Sequence, residues 1–181
     1  MCHEALGVRD APEHLAREGR QRDRSMIEPA GEADRHDLVQ LMVAFRDHLG
    51  QSRPSAAEFR RALDLLGKDP ATEILVARTA SGGPLGYAQV RYRYSAWIPG
   101  LGAEIEDLFV RPEVRRQGVG LALLETVIGR AQERSCFVLG LNTIEHNQAA
   151  LSLYRRLGFA AERVRWKGGR QLWLEKRIAP V

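Results

Sequence analysis

The sequence of 181 residues predicts one α/β (α+β) domain, with a central mixed, twisted sheet of about six to seven strands and helices on both faces. Three observations carry this. Glu104 to Val110 mixes acidic and apolar residues in the short runs of a strand, Pro112 stops it, and helical periodicity follows from Leu121, giving strand, glycine-bearing loop and helix in succession. Cys136 to Leu141 is a nearly continuous apolar run, as in a strand covered on both faces, and it follows that helix as a βαβ crossover requires, so this part of the sheet is expected to be parallel. Ile74 to Arg78 and Leu85 to Tyr94 flank Ser81-Gly82-Gly83-Pro84, a hairpin turn signal that implies antiparallel pairing.

Taken in order, residues 1–24 are rich in charge and poor in large apolar side chains. They are expected to be an extension, frayed or holding a short helix from about Pro12 to Glu18, with Met26 as the natural start. Residues 25–178 form the domain and 179–181 a tail. Met26 to Pro29 is a first strand, after which Asp34 is expected to cap a helix with Leu38, Leu41, Met42, Phe45 and Leu49 on its apolar face. Ser55 and Glu58 form a capping-box pair for a second helix to Leu66, along which Phe59, Ala62, Leu63 and Leu66 repeat at helical spacing. The intervening loop, Gly50 to Pro54, is expected to border a substrate site.

After the hairpin, Ser95 to Gly102 reads as a loop carrying Trp97. Val119, Ala122, Leu123, Val127 and Ala131 mark the inward stripe of the third helix. Asn147 caps a fourth helix with Ala150, Leu153, Tyr154 and Leu157 along one face and Gly158 ending it. Phe159 to Trp166 and Gln171 to Lys176 close the domain as two strands around a Lys167-Gly168-Gly169-Arg170 turn.

Composition narrows the function. Lys plus Arg number 27 against 23 Asp plus Glu, a formal charge of +4 that does not demand nucleic acid and that an anion site and a basic tail would supply. The Arg111 to Arg116 cluster has no interleaved aromatics to stack bases, so phosphate binding explains it more economically than a nucleic-acid patch. Cys2 and Cys136 suggest neither a disulfide framework nor a metal cluster, and His36, His48 and His146 are dispersed, so no metal is implied. No apolar run reaches membrane-spanning length and the N-terminal segment lacks the apolar core of a signal peptide, so no membrane partner and a cytoplasmic setting are expected.

The chemistry concentrates in Glu104 to Gly120. Gly118 and Gly120 remove side chains where a helix begins, so consecutive backbone N–H groups can close on an anion, while the helix dipole, Arg115 and Arg116 add attraction. A lone Gly-x-Gly is otherwise a flexible turn; the paired arginines favour a phosphorylated ligand.

The run Arg115-Arg116-Gln117-Gly118-Val119-Gly120, together with the stretch from Asn147 through Tyr154 to Gly158 and Phe159, resembles the GNAT superfamily of acetyl-CoA-dependent N-acetyltransferases. Tyr94-Ser95-Ala96-Trp97 followed by Glu106-Asp107-Leu108-Phe109-Val110 is similar to the branch of spermidine/spermine and thialysine acetyltransferases. The resemblance implies a pair of parallel strands splayed around acetyl-CoA as cosubstrate, here Glu104 to Val110 and Cys136 to Leu141. It also implies pantetheine pairing with backbone at Leu108, Phe109 and Val110, one of whose N–H groups holds the oxyanion, and pyrophosphate contacts along Arg115, Arg116, Gln117, Gly118, Val119, Gly120 and Leu121. Asn147 and Ala150 fall on the cofactor side of the second motif, and Tyr154 is the matched proton donor to the CoA sulfur, although its place on an apolar stripe suits a packed tyrosine equally.

The implied reaction is direct acetyl transfer to a primary amine of a small molecule in a ternary complex; an aminoglycoside, a protein or peptide amine, or a non-catalytic acyl-CoA-binding role are the alternatives, and a homodimer stays open. Glu106 is the expected base, its basicity raised by partial burial, against a simpler role in salt bridging to Arg91 and Arg93. On an unbulged strand Glu104 and Glu106 share one face, and Asp107 reaches the same acceptor only if the strand is bulged. Tyr94 and Trp97 are expected either to wall the amine pocket or to pack in the core.

Overall fold

A computed structural model describes residues 26–97 and 99–160, and the chain divides after Gly140 into two compact units. Its first unit is organised by a meander. β1 (Met26–Pro29) pairs antiparallel with β2 (Thr72–Arg78), β2 with β3 (Pro84–Tyr94), and β3 with β4 (Leu101–Val110), while β5 (Cys136–Leu141) lies beside β4 at the end of a five-stranded mixed sheet. The two final strands expected from Phe159 to Lys176 fall outside the described residues, except that Phe159 and Ala160 are not in a strand.

Helices α1 (Arg35–His48) and α2 (Ala56–Leu66) form one layer on the sheet. Leu38, Val39, Leu41 and Met42 of α1 join Leu63 of α2 in a buried cluster with Val76, Tyr87 and Phe109 of the sheet. Phe45 stacks on Phe109 at 5.2 Å between ring centroids, so α1 meets the sheet through a ring contact on β4. Leu49, expected on this face, is exposed, and Val39 takes the buried position.

The opposite face belongs to α3 (Val119–Glu133). Arg130 forks onto Oε1 of Glu73 with Nε at 2.8 Å and NH2 at 2.6 Å, and Arg134 lies 4.2 Å over the Tyr92 ring. Glu73 and Tyr92 are offset by an odd number of positions from Val76 and Tyr87, which is why they point to the other side of the pleat. The inward stripe is Val119, Leu123, Leu124, Val127 and Ala131, with Leu124 in place of the expected Ala122. Phe137 and Val138 of β5 are exposed, contrary to a strand covered on both faces.

Local signals account for the helix ends. Ser55 Oγ accepts from Glu58 N while Glu58 Oε2 accepts from Ser55 N at 2.7 Å, the reciprocal box read from the sequence. Asp34 does not cap α1 through its side chain: Oδ2 accepts from Gly31 N at 2.7 Å, closing a short 3-10 turn over Glu32–Asp34, and Oδ1 pairs with Arg78.

In the second unit, α4 (Gln148–Arg156) is capped by Asn147, whose Oδ1 accepts from Ala150 N at 3.3 Å. Gly158 at φ 85° then reverses the chain, with Gly158 N donating to Arg155 O and Phe159 N to Tyr154 O at 3.0 Å each. This left-handed close ends the helix, and it sets the Phe159 ring against Tyr154 at 5.9 Å.

Candidate active site

β4 is interrupted once. Gln89 pairs with Asp107 and Val90 with Ile105, leaving Glu106 as the extra residue of a β-bulge. Without it, strict alternation would send Glu106 and Asp107 to opposite faces. With it, both turn toward the α1–α2 layer: Glu106 accepts from Gln89 Nε2 and pairs with Arg91 Nε at 2.7 Å, while Asp107 Oδ2 accepts from the Tyr87 hydroxyl at 3.2 Å. Glu104 lies on the same face and pairs with Arg93 at 3.1 Å.

The three carboxylates are thereby made unequal. Glu106 is exposed and occupied by Arg91 and Gln89, and the burial expected there is found instead at Asp107. Burial pushes the Asp107 carboxyl above its ordinary range, the Tyr87 hydrogen bond pulls it down, and the charge of Glu106 pushes it up again. Among the described residues no cation is paired with Asp107.

Asp107 and Gln89 open into a cleft of about 430 Å³ whose remaining lining is Met42, Arg53, Pro54, Glu58, Phe59, Ala62 and Leu66. Of the Gly50 to Pro54 loop, expected to border a substrate site, Arg53 and Pro54 line this cleft. The cleft exists because the apolar stripe of α2 is only partly covered: Leu63 is buried, while Phe59, Ala62 and Leu66 line open space. At the mouth Glu58 is paired with Arg53, and its carboxyl is held down at about 2, first by the Ser55 backbone N–H, then by the Ser55 hydroxyl and Arg53.

Tyr94 and Trp97 neither line this cleft nor pack in the core; their relative exposures are 82% and 77%. The sequence reading also passed over Tyr87 and Gln89. Alternation along β3 puts Tyr87, Gln89, Arg91 and Arg93 on one face, and the polar groups in that row are the signal.

Past Val110, Pro112–Val114 make a single 3-10 turn and the chain enters the loop before α3. Arg116 and Gly118 have φ of 64° and 94°, and Gly118 is the N-cap of α3. The first helical bond at this end runs from Ala122 N to Gly118 O, so the amides of Val119, Gly120 and Leu121 precede it and have no partner within the helix. A Cβ built on Gly118 would meet nothing within 4 Å, so the glycine is required by its φ alone. Three unpaired N–H groups at a helix start, with Arg116 beside them, suit a phosphate. Arg115 is directed elsewhere, donating from Nε to Val110 O at 3.0 Å, and Gln117 Nε2 donates to Glu113 O at 3.3 Å.

The β4–β5 pair supplies the remaining geometry. A Cβ on Gly100 would lie 3.7 Å from Phe137 Cβ, and one on Gly140 4.0 Å from Ala103 O, so both approaches carry one offset and the strands advance together, as parallel neighbours do. That offset brings Gly140, near the end of β5, level with Ala103. The outer edge of β4 from Ile105 to Val110 therefore runs on past β5, which leaves the backbone of Leu108, Phe109 and Val110 with an edge not paired to β5. In the second unit, Tyr154 is buried, and burial pushes its phenol above the ordinary tyrosine range. Among the described residues no group of three His, Cys, Asp or Glu side chains is placed to hold a metal ion.

Comparison with known proteins agrees with this geometry. Residues 37–159 match the acetyltransferase (GNAT) family. The thialysine N-epsilon-acetyltransferase of Bos taurus is 32% identical over 142 residues, 74% of this chain and 82% of that protein. The streptothricin acetyltransferase of Streptomyces lavendulae is 35% identical over 120 residues, 66% of this chain and 57% of that protein. The solved aminoglycoside 6'-N-acetyltransferase of Acinetobacter baumannii shares the fold, with a TM-score of 0.64 at 22% identity over 85% of this chain and 99% of that one. A family match across the cleft, the bulged strand and the amide cradle, together with the bovine relative's coverage, shows that this chain is an acyltransferase of the GNAT family with resemblance to the thialysine branch.

Proposed function

We propose that the protein transfers an acetyl group from acetyl-CoA to a primary amine of a small molecule, with Asp107 as the base. One observation carries the reading: the bulge at Glu106 turns a carboxyl of raised proton affinity into an acceptor-sized cleft, on the strand that leads into the amide cradle. The names of the bovine and streptomycete relatives, thialysine and streptothricin acetyltransferases, support an amine acceptor of small size.

Acetyl-CoA would supply the activated acyl group. Amides of Val119, Gly120 and Leu121, with Arg116, would hold its pyrophosphate, and the free edge at Leu108 to Val110 would take the pantetheine arm and offer the N–H for the oxyanion. The acceptor enters as an ammonium, paired with Asp107; its proton passes to that carboxylate, and the freed lone pair attacks the acyl carbon. The C–N bond forms as the C–S bond breaks, and Tyr154, kept protonated by burial, is proposed to protonate the departing thiolate; the second proton leaves nitrogen as the amide forms and restores the Tyr154 phenol through solvent. Asn147 and Ala150 are proposed to face the cofactor from the start of α4. Glu104 and Glu106, paired with Arg93 and Arg91, shape the field around Asp107 and do not receive the proton themselves.

The test is acetyl-CoA-dependent thiol release in the presence of primary amines, compared in Asp107→Asn and Glu106→Gln. Loss of turnover of about a hundredfold or more in the first and a much smaller loss in the second is expected. The reverse order would return the base to Glu106.

A further inference from the structure

We infer that the acceptor is a monoamine, one protonated nitrogen on an apolar arm, and not a polyamine or an aminosugar. This rests on the acetyltransferase reading and names the class of its acceptor. The cleft walls are Met42, Pro54, Phe59 and Leu66, and the carboxyl on its lining without a cation partner among the described residues is that of Asp107. A second or third ammonium along an acceptor chain would need a second or third carboxylate within reach. Among the described residues the nearby candidates are already paired: Glu106 with Arg91 and Gln89, Glu104 with Arg93, and Glu58 with Arg53 and the Ser55 N–H.

The apolar wall makes the same discrimination by desolvation. A methylene laid against Phe59 and Leu66 gains about fourfold in affinity from leaving water, whereas a hydroxyl or ammonium placed there loses its hydration with no partner in return. An aminosugar, polar on every edge, forfeits that gain over most of its surface. The volume of about 430 Å³ suits a short arm of a small ligand.

The experiment measures kcat/KM for thiol release by the full chain with acetyl-CoA and, separately, hexylamine, spermidine, kanamycin and an alanyl peptide. Hexylamine is expected to exceed each of the others by about tenfold or more. A companion variant, Ala62→Glu, adds a second carboxylate to the wall at an exposed position of α2, and should move the spermidine-to-hexylamine ratio upward by about tenfold. Spermidine or kanamycin matching hexylamine would overturn the single nitrogen, and the peptide matching it would overturn the apolar arm, either one sinking the assignment while leaving the acetyltransferase reading intact. A ratio unmoved by Ala62→Glu would show that the acceptor does not lie along this wall and would overturn it as well. Release driven by none of the amines would remove both readings together.

Discussion

The Tyr87 hydroxyl reaches Asp107 Oδ2 at 3.2 Å because one residue of β4, Glu106, is extra to the ladder. The hydrogen bond favours the ionised form of Asp107, and the Glu106 charge disfavours it. Tyr87→Phe is therefore expected to move the acid limb of the kcat/KM profile to higher pH, and Glu106→Gln to lower pH. Opposite shifts in the two variants are the signature of Asp107 as the titrating base; shifts in the same direction, or none, would remove it from that role.

The same carboxyl sets a trade between stability and activity. Its folded-state proton affinity is raised, so the native chain binds more protons than the unfolded one between the ordinary carboxylate range and the raised value, and stability falls as pH rises through that window. Asp107→Asn should be more resistant to urea than wild type at neutral pH, with the advantage vanishing below the ordinary carboxylate range. Equal midpoints at both pH values would show that the burial of Asp107 carries no cost.

Most of the scaffold was legible because its signals are local. The Ser55–Glu58 box, the Gly82–Gly83 hairpin, the Asn147 cap and the Gly158 stop each depend on residues within a few positions of one another. The start of β4 was missed because Gly102 reads as a breaker, whereas in the structure it is a buried strand residue opposite Arg93. The bulge at Glu106 left no mark in the sequence: it follows from the register between β3 and β4, a long-range property, and with it went the question of whether Asp107 shares a face with Glu106. Tyr94 and Trp97 show the converse, since aromatic identity suggested a pocket wall or a core and the backbone carried both into solvent. The cleft lies where α2 only partly covers its own stripe, and periodicity cannot tell a covered stripe from an open one.

On the face away from the cleft, Glu73 has a side-chain exposure of 7% and accepts from Arg130 and from the Tyr92 hydroxyl at 2.7 Å. Burial raises its carboxyl, but the hydrogen bonds from Arg130 and Tyr92 more than offset that and leave it below the ordinary range. Glu73→Gln is expected to cost about 2 kcal/mol at neutral pH, below the usual loss for a broken buried pair because Arg130 is partly in water. A lowered folded value contributes stability above the unfolded value and loses it as pH falls, so the gap between variant and wild type should close in acid. Urea midpoints at neutral and acid pH measure it, and a gap that persists in acid would contradict the assignment.

Two glycines on the path to the cradle are required for different reasons. Gly118 has φ 94° and open space, so Gly118→Ala is expected to cost about 1 kcal/mol of backbone strain and to weaken CoA binding by tilting the helix-start amides. Gly86 faces Val110 across the ladder, and a Cβ there would lie 2.4 Å from Phe109 O, so Gly86→Ala must part β3 from β4 beside the proposed pantetheine edge. It should destabilise by about 2 kcal/mol or more, as overpacking against backbone does. Calorimetric titration with CoA and thermal melts separate the two, the first variant losing affinity mainly and the second losing stability mainly.

Tyr154 is buried, keeps its phenol protonated, and packs edge-on against Phe159 within the left-handed close of α4. Tyr154→Phe removes the hydroxyl and leaves that ring contact, so the change in thermal stability should stay within about 1 kcal/mol. As the proposed donor to the leaving thiolate it would act while the C–S bond breaks, so its loss should lower kcat and kcat/KM in equal proportion, by about a hundredfold, with the Kd for acetyl-CoA unchanged. Its alkaline limb should lie above the ordinary tyrosine range, because the acid is lost only when the raised phenol ionises. Turnover unchanged in the variant would return Tyr154 to the packing role that its apolar stripe alone suggests, and a fall in affinity as large as the fall in turnover would make it a positioning residue for α4 rather than the acid.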